Sequence, residues 1–171
     1  LFRSRFVYTS GSPGPDRLAN AAALQHLEPG RNAIAVDFGT ATHVEIMSAK
    51  GEFRGGAILP GIGTQLRSLT KATRGRLPEI RLEEGTTPPV VNASTIEAIQ
   101  AGVVYGQAAV AERIIEEASR QLDDRDAPVY LTGGGVRFVK NLLRFSFQHE
   151  PNLTAIGLAA LWHAAASRSG G

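Results

Sequence analysis

The chain has no cysteine and few aromatic residues, and these shortages narrow the classes of protein to which it can belong. Without cysteine, disulfides and thiolate metal sites are excluded. Aromatic residues make up 6% of the chain, and no run of lysine or arginine accompanies them. The formal net charge of +2, from 18 basic and 16 acidic residues, is too small an excess to favour nucleic-acid binding.

Ligand-spaced histidines and long apolar runs are missing as well. The four histidines show no HxxxH or HExxH spacing, which argues against a zinc site. No apolar stretch approaches the ~20 residues that a membrane span requires. The sequence starts with leucine and has no signal-peptide hydrophobic region. We therefore expect a cytoplasmic protein, with no membrane partner, that lacks an upstream segment.

The residues that are present are typical of a globular protein in which helices and strands alternate. Hydrophobic residues make up 43% and charged residues 20%, and 171 residues suffice for one core. A meander of three strands among helices predicts an α/β fold. The polar stretch 71–89 is predicted to be a mobile loop or lid. The predicted strands are 32–37, 43–47, 53–59 and 128–131, and the predicted helices are 18–29, one through Leu66 and Leu69, 95–122, 136–143 and 154–166.

The longest predicted helix, 95–122, begins with a capping box in which Ser94 precedes Glu97. Its apolar surface is wider than one helix face can bury, because small residues flank the apolar stripe. This surface predicts either a two-fold dimer contact or cover within the same chain, for example by the 154–166 helix. The stripe comprises Ile96, Ile99, Val103 and Val110.

Four segments contain residues suited to chemistry, and the first is Asp37-Phe38-Gly39-Thr40-Ala41-Thr42, at the turn that leaves a strand. Glycine permits close approach of a phosphate, hydroxyl groups donate to its oxygens, and a carboxylate can hold a cation. The alternative is a hairpin turn stabilised by an Asx-type bond from Asp37. The motif alone does not decide between the two interpretations.

The second segment, Gly14-Pro15-Asp16-Arg17, stands at a predicted helix start. Asp16 could accept a proton from a substrate hydroxyl, and Arg17 could clamp a carboxylate or phosphate. Taken alone, the segment favours a simpler interpretation, an acidic residue stabilised by the helix dipole. Arg17 weakens that interpretation, because a cation opposes the dipole there and requires another reason for its presence.

The third segment, Leu131-Thr132-Gly133-Gly134-Gly135, connects a strand to a helix. A glycine turn of this kind lets an adenine or ribose lie against the backbone. One glycine suffices for a tight connection, and each further glycine costs ~1 kcal/mol relative to alanine in regular structure. The segment therefore favours a nucleotide-binding role over a plain turn.

The fourth feature is a pair of segments, 55–62 and 92–102, rich in glycine and alanine. Neither has the spacing of a known chemical signature. Small residues such as Ala98 and Gly102 let a helix approach its neighbour, so packing or a dimer contact is the favoured interpretation. Thr95 is the exception, since a hydroxyl at a helix start can reach a ligand.

The order of these segments resembles type III pantothenate kinase, also described as the Bvg accessory factor-like family. GxDR, DFGTAT, GGAIxPGI, TIEAIQAG and LTGG follow one another from Gly14 to Gly134. The resemblance implies the actin-like, sugar-kinase-like (ribonuclease H-like) ATPase fold, mainly its second duplicated subdomain. It assigns residues 1–30 to the end of the first subdomain and 31–171 to the second. It further implies a homodimer that phosphorylates pantothenate with ATP, the first step towards coenzyme A.

The resemblance also implies roles for individual residues. Asp16 would accept the proton of the pantothenate hydroxyl. Asp37 would bind the activating monovalent cation, K⁺ or NH₄⁺, while Mg²⁺ accompanies ATP. The implied pantothenate contacts are Gly14, Pro15, Asp16, Arg17, Thr95 and Tyr8, and the implied nucleotide contacts are Gly39, Thr40, Gly133 and Gly134.

One part of the family pattern has no counterpart in this sequence. In the family, a DxGNT loop holds magnesium and the transferred phosphate. We therefore expect that the amino-terminal part with this loop is absent and that the isolated chain is inactive or poorly active. Two alternatives remain: a non-catalytic transcriptional accessory protein of the same fold, or an isolated dimerisation and substrate-binding half. Asp16 and Asp37, both intact, favour the kinase.

Overall fold

A computed structural model describes residues 5–6 and 13–169 of the chain, and the side chains of 13–167. Tyr8, one of the predicted substrate contacts, lies outside the described residues. Across the described part, no helix combines the length and the hydropathy that crossing a membrane demands.

The order of elements confirms the α/β prediction, although the 136–143 helix is shorter than expected. A short 3₁₀ turn, Lys140–Leu142, replaces its second half. The two-residue strand β6 has no signal in the sequence. The elements are β1 (Arg5–Phe6), α1 (Pro15–Leu27), β2 (Ala33–Phe38), β3 (Ala41–Met47), β4 (Glu52–Pro60), α2 (Ile62–Ala72), α3 (Thr95–Leu122), β5 (Val129–Thr132), α4 (Val136–Val139), β6 (Gln148–His149) and α5 (Leu153–Ser169).

Within the described residues the strands form one sheet in the order β1-β4-β3-β2-β5-β6. Strands β2, β3 and β4 form an antiparallel meander, whereas β5 runs parallel to β2 and β6 parallel to β5. Asp37 at the end of β2 lies opposite Thr132 at the end of β5. The carboxyl ends of β2 and β5 therefore meet at one edge of the sheet, called the carboxyl edge below.

Helices cover both faces of the sheet, and the side-chain alternation of β2 explains how. Ile34 and Val36 point into a core shared with α2, α3 and α4. Ala33 and Ala35 point to the other face, into a core shared with α1 and α5. A strand buried on both faces appears in sequence as a continuous apolar run, as 33–36 does.

Helices α1 and α5 pack closely against each other because both contribute small residues. A Cβ added to Gly157 would lie 1.7 Å from the carbonyl oxygen of Ala19. The alternative in which the 154–166 helix covers α3 is therefore wrong, since α5 packs on α1 at the opposite face of the sheet.

Helix α3 begins and ends where the sequence predicts, and the Ser94 side chain accepts a hydrogen bond from the Glu97 amide. Its buried face differs from the predicted stripe, however. Ile96 and Val110 are 44% and 43% exposed. The buried face instead comprises Ala101, Val103, Val104, Gln107, Ala108, Ala111, Ile115 and Ala118.

Candidate active site at the carboxyl edge

Three of the four predicted segments converge at the carboxyl edge. The DFGTAT turn follows β2, the glycine turn follows β5, and the GxDR segment begins α1. The Gly135 amide donates to the Phe38 carbonyl at 2.8 Å, which joins the first two segments. The Asn20 amide, one turn into α1, donates to Asp37 Oδ2 at 3.3 Å, which joins the third. Segments far apart in sequence thus form a single site.

Asp37 is held by α1 rather than by its own turn. Its described hydrogen bond comes from the Asn20 side-chain amide, whose oxygen Oδ1 accepts from the Thr154 hydroxyl at 2.8 Å. Asn20 is completely buried, so this link between β2, α1 and α5 is fixed. The other oxygen of Asp37 faces the Gly133 backbone. Asp37 thereby keeps a second carboxylate oxygen, Oδ1, at the site.

A cavity of about 640 Å³ opens beside the DFGTAT turn. Its walls include residues of both glycine-containing turns, the start of α2 and the end of α4. Residues 79–82, from the predicted lid, close one side, and Ile80 there is buried. The polar and glycine residues of the lining are Gly39, Thr40, Gly63, Thr64, Arg67, Glu79, Arg81, Gly134, Gly135 and Arg137.

The segment 55–62 supports the DFGTAT turn, a role that the sequence did not predict. The Thr40 carbonyl accepts hydrogen bonds from the Gly61 amide at 3.0 Å and from the Thr64 hydroxyl at 2.7 Å. A Cβ on Gly61 would lie 2.1 Å from the Gly39 carbonyl oxygen. Glycine is therefore required at position 61, because the backbone there passes directly over the DFGTAT turn.

Asp16 stands in the first turn of α1, after Pro15, whose fixed φ suits a helix start. Its carboxylate is 54% exposed and accessible to a ligand. A Cβ on Gly14 would lie 2.5 Å from Asp16 Oδ1, so the glycine of GxDR leaves room for this carboxylate. The Nε2 atom of His43 lies 3.7 Å from the other oxygen, Oδ2.

Arg17 points into the interior. Its ion pair with Glu45 explains why a cation stands in the first turn of α1. Arg17 Nε donates to Glu45 Oε1 at 2.9 Å, and the guanidinium lies over the Phe53 ring at 5.5 Å. Burial raises the pKa of Glu45 to about 7, although the Arg17 hydrogen bond and charge act in the opposite direction. A ligand contact by Arg17 stays a prediction.

Thr95 lies apart from this edge within the chain. It is exposed at the start of α3, whereas Gln107 on the same helix reaches the edge by accepting from the Thr42 hydroxyl at 2.9 Å. Three helical turns separate the two residues, roughly 18 Å along the axis at ~1.5 Å per residue.

Sequence reasoning missed several polar residues that organise the site, namely Asn20, His43, Glu45 and Gln107. The available signal was Glu45, a charged residue between the apolar Val44 and Ile46 of β3. Among the described residues, no group of three histidine or acidic side chains could hold a metal ion. A cation at this edge would therefore depend on Asp37 together with backbone or ligand oxygens.

Comparison with known proteins shows which protein family has a similar sequence. A sequence model of the family Type III pantothenate kinase matches residues 7–117. The chain is 40% identical over 146 residues to a Type III pantothenate kinase of Parafrankia sp., covering 85% of this chain and 55% of the relative. It is 40% identical over 159 residues to one of Streptomyces avermitilis, covering 91% and 58%. The chain thus spans little more than half the length of these relatives.

A solved structure agrees on the fold. A Baf family protein of Campylobacter jejuni, named as a transcriptional activator, superposes with a TM-score of 0.67 at 21% identity. The match covers 96% of this chain and 70% of that one. At this identity the likeness shows the fold alone. With the sheet order given above, it confirms the actin-like, sugar-kinase-like fold.

Proposed function

Because the chain belongs to the type III pantothenate kinase family, we propose that the protein transfers the γ-phosphoryl group of ATP to the primary hydroxyl of pantothenate. The product is 4′-phosphopantothenate, and the reaction is the first step towards coenzyme A. The observation that carries this proposal is the convergence of GxDR, DFGTAT and LTGG at one edge of the sheet, beside a cavity.

The cavity provides the nucleotide site of this proposal. Gly39 allows the phosphates to approach the turn closely, the Thr40 hydroxyl donates to their oxygens, and Gly133 and Gly134 let the nucleoside lie against the backbone. Arg67 and Arg137 on the cavity wall add positive charge. Phosphoryl transfer depends mainly on positioning and on stabilising the charge of the phosphoryl oxygens, which are the contributions that these residues supply.

Asp16 acts on the acceptor. Its exposed carboxylate takes the proton of the pantothenate hydroxyl as the oxygen forms a bond to the γ-phosphorus. The bond between that phosphorus and the bridging oxygen breaks, and ADP leaves with the electron pair. Gly14, Pro15 and Thr95 contribute to the pantothenate site, Thr95 from the partner copy of the chain.

Asp37 would hold a monovalent cation, K⁺ or NH₄⁺. Its donor set suits such an ion, because one anionic oxygen remains after the Asn20 hydrogen bond and carbonyl groups surround the turn. Mg²⁺ would enter with ATP, since magnesium sites commonly combine one or two carboxylates with substrate phosphates. Bound there, these cations would offset charge on the phosphoryl oxygens.

Two structural proposals accompany this function. Residues 1–30 form the end of one subdomain with the GxDR segment, and 31–171 form the second subdomain. The protein is a homodimer whose contact is the small-residue face of α3, defined as Ala98, Gly102, Gly106 and Ala109. Ala98, Gly102 and Ala109 of this face are exposed within the single chain, which leaves the face available for an apolar contact.

The test is production of 4′-phosphopantothenate by the full-length protein. Mass spectrometry of reactions with ATP and pantothenate should detect the product, and ADP should form in equal amount. Reactions with the Asp16→Asn variant are the matched control. ATP hydrolysis that does not depend on pantothenate, without phosphorylated product, would overturn the proposal.

A further inference from the structure

His43 occupies a position between the exposed Asp16 carboxylate and the protein interior. It lies on β3 opposite Asp37 of β2, so it belongs to the carboxyl edge. Its side chain is 12% exposed. One ring nitrogen, Nε2, lies 3.7 Å from Asp16 Oδ2, and the other, Nδ1, lies 3.8 Å from Glu45 Oε1. The imidazole thus connects a surface carboxylate to a buried one.

Glu45 gives His43 a rigid point of attachment. The carboxylate is completely buried and is fixed by the 2.9 Å hydrogen bond from Arg17 Nε. Arg17 is itself held between Glu45 and the Phe53 ring. Within the described residues, His43 Nδ1 and Glu45 Oε2 are both buried without a hydrogen-bond partner. Nδ1 lies 3.8 Å from Oε1 of the same carboxylate, so a small rotation of the imidazole would bring Nδ1 within hydrogen-bond distance of Glu45.

Asp16 has the opposite character. Its carboxylate is half-exposed, and among the described residues its one ion-pair contact is His43. Gly14 leaves room for the carboxylate and has no side chain that could restrict its orientation. A general base must lie within hydrogen-bond distance of the substrate hydroxyl. A neighbouring residue that restricts the rotamers of the base therefore favours proton transfer.

We propose that His43 is a positioning residue for Asp16: it holds Oδ2 through Nε2 and is itself anchored at Nδ1 by the buried Glu45–Arg17 pair. The inference rests on the proposed function, in which Asp16 accepts the substrate proton. The Oδ1 atom stays available to the hydroxyl, and His43 takes no proton from the substrate.

Three substitutions test this arrangement in the full-length protein. His43→Leu keeps the volume and removes both ring nitrogens. His43→Gln retains an amide donor near the place of Nε2, and His43→Asn retains one near Nδ1. His43→Leu should lower kcat roughly 10- to 100-fold, the order expected for a misplaced catalytic group, with KM for pantothenate and ATP little changed. His43→Gln should recover most of the loss, and His43→Asn should not.

Two controls separate positioning from general damage. His26→Leu changes an exposed histidine of α1 and should leave kcat unaltered. In an Asp16→Asn background, His43→Leu should have no further effect on the residual rate, because the two residues act as one unit. A kcat of His43→Leu equal to that of the wild type, or equal losses for His43→Gln and His43→Leu, would refute the positioning role while the kinase assignment stands.

Failure of the proposed function would be recognised separately. If the wild type makes no phosphopantothenate, the contact is tested by NMR of the His43 side chain in ¹⁵N-labelled protein. Asp16→Asn should then shift the Nε2 resonance and Glu45→Gln the Nδ1 resonance, with Glu116→Gln as the control at an exposed site. Unshifted His43 resonances in both variants would refute the inference independently of activity.

Discussion

The Asp37 carboxylate lies against the backbone of Gly133. A Cβ added to Gly133 would stand 2.4 Å from Asp37 Oδ1 and 2.7 Å from the carbonyl carbon of Phe38. Gly133 also has a φ of +87°, a left-handed conformation that residues with a side chain rarely adopt. The parallel pairing of β2 and β5 brings the two residues together. The candidate cation ligand and the candidate nucleotide turn are thus one packed unit.

Substitution of Gly133 tests that unit. Gly133→Ala should lower the free energy of unfolding by on the order of 1–3 kcal/mol, because the new methyl group meets both steric contact and an unfavourable φ. ATP affinity should fall with it. Gly134→Ala is the matched control for stability, since a Cβ there meets nothing within 4 Å. Chemical denaturation and calorimetric ATP titration measure the two effects, and equal stabilities of the two variants would contradict the argument.

The sequence predicted best those elements whose pattern follows from local rules. Strand β2 was predicted because both of its faces are buried, and α3 because Ser94 and Glu97 mark its start. Strand β6 pairs with β5 over two residues, 148 and 149, and so short a strand leaves no period to detect. The convergence at the carboxyl edge depends on the parallel pairing of β2 with β5, which no local pattern in the sequence marks.

Tertiary partners explain what the sequence could not predict. Arg17 was noticed as a cation at the wrong end of a helix, but its partner Glu45 is 28 positions away and unmarked by any motif. The buried face of α3 was misassigned because Gln107, a polar residue, lies on it. Gln107 is buried since its amide reaches both the Thr42 hydroxyl and the Pro60 carbonyl.

Removal of the proposed base should abolish efficient turnover without unfolding the protein. Asp16→Asn is expected to lower kcat by about 10²–10⁴, the usual effect of losing a general base. The side chain is exposed, so the melting temperature should stay close to that of the wild type. Asp126→Asn, at an exposed loop position, controls for the loss of a negative charge. Turnover of Asp16→Asn close to that of the wild type would show that another group accepts the proton.

Loss of charge at Asp37 should weaken activation by monovalent cations. In Asp37→Asn the anionic oxygens are gone, although an amide oxygen still accepts from Asn20. The concentration of K⁺ or NH₄⁺ needed for half-maximal activity should therefore rise. Titration with KCl against choline chloride at constant ionic strength measures the change. A salt response that matches that of the wild type would mean that Asp37 has a structural role at the end of β2.

The buried Glu45 should make stability depend on pH in a defined direction. Its pKa is raised from 4.5 to about 7 in the folded protein, mainly by burial. The folded state therefore binds this proton more tightly than the unfolded chain. The contribution of this proton to the free energy of unfolding is fully present below about pH 4.5 and is lost as the pH rises through about 7. At ~1.4 kcal/mol per pKa unit, the loss is on the order of 3 kcal/mol.

Denaturation at a series of pH values tests this dependence through its slope. Between pH 5 and pH 8 (roughly the range of this titration), the free energy of unfolding of Glu45→Gln should decline less steeply than that of the wild type. The introduced amide does not titrate, and it retains an oxygen that accepts from Arg17. Glu116→Gln, at an exposed site on α3, should keep the slope of the wild type. Parallel curves for Glu45→Gln and the wild type would place the titration elsewhere.

The small-residue face of α3 should be the dimer contact. Helix α5 lies on the other face of the sheet, and a Cβ added to Gly102 or Gly106 meets nothing within 4 Å inside the chain. An arginine at either position would therefore be accommodated in an isolated subunit but would place bulk and charge in a two-fold contact.

Gly102→Arg and Gly106→Arg should each halve the mass found by light scattering and keep the helical circular dichroism. Gln121→Arg, exposed near the carboxyl end of α3, should stay dimeric. Activity should fall in the two glycine variants, because Thr95, roughly 18 Å along α3 from the Gln107 contact at the carboxyl edge of its own chain, is proposed to act in the partner's site. A wild-type protein that is monomeric at high concentration would exclude this contact and, with it, the role of Thr95 in the partner's substrate site.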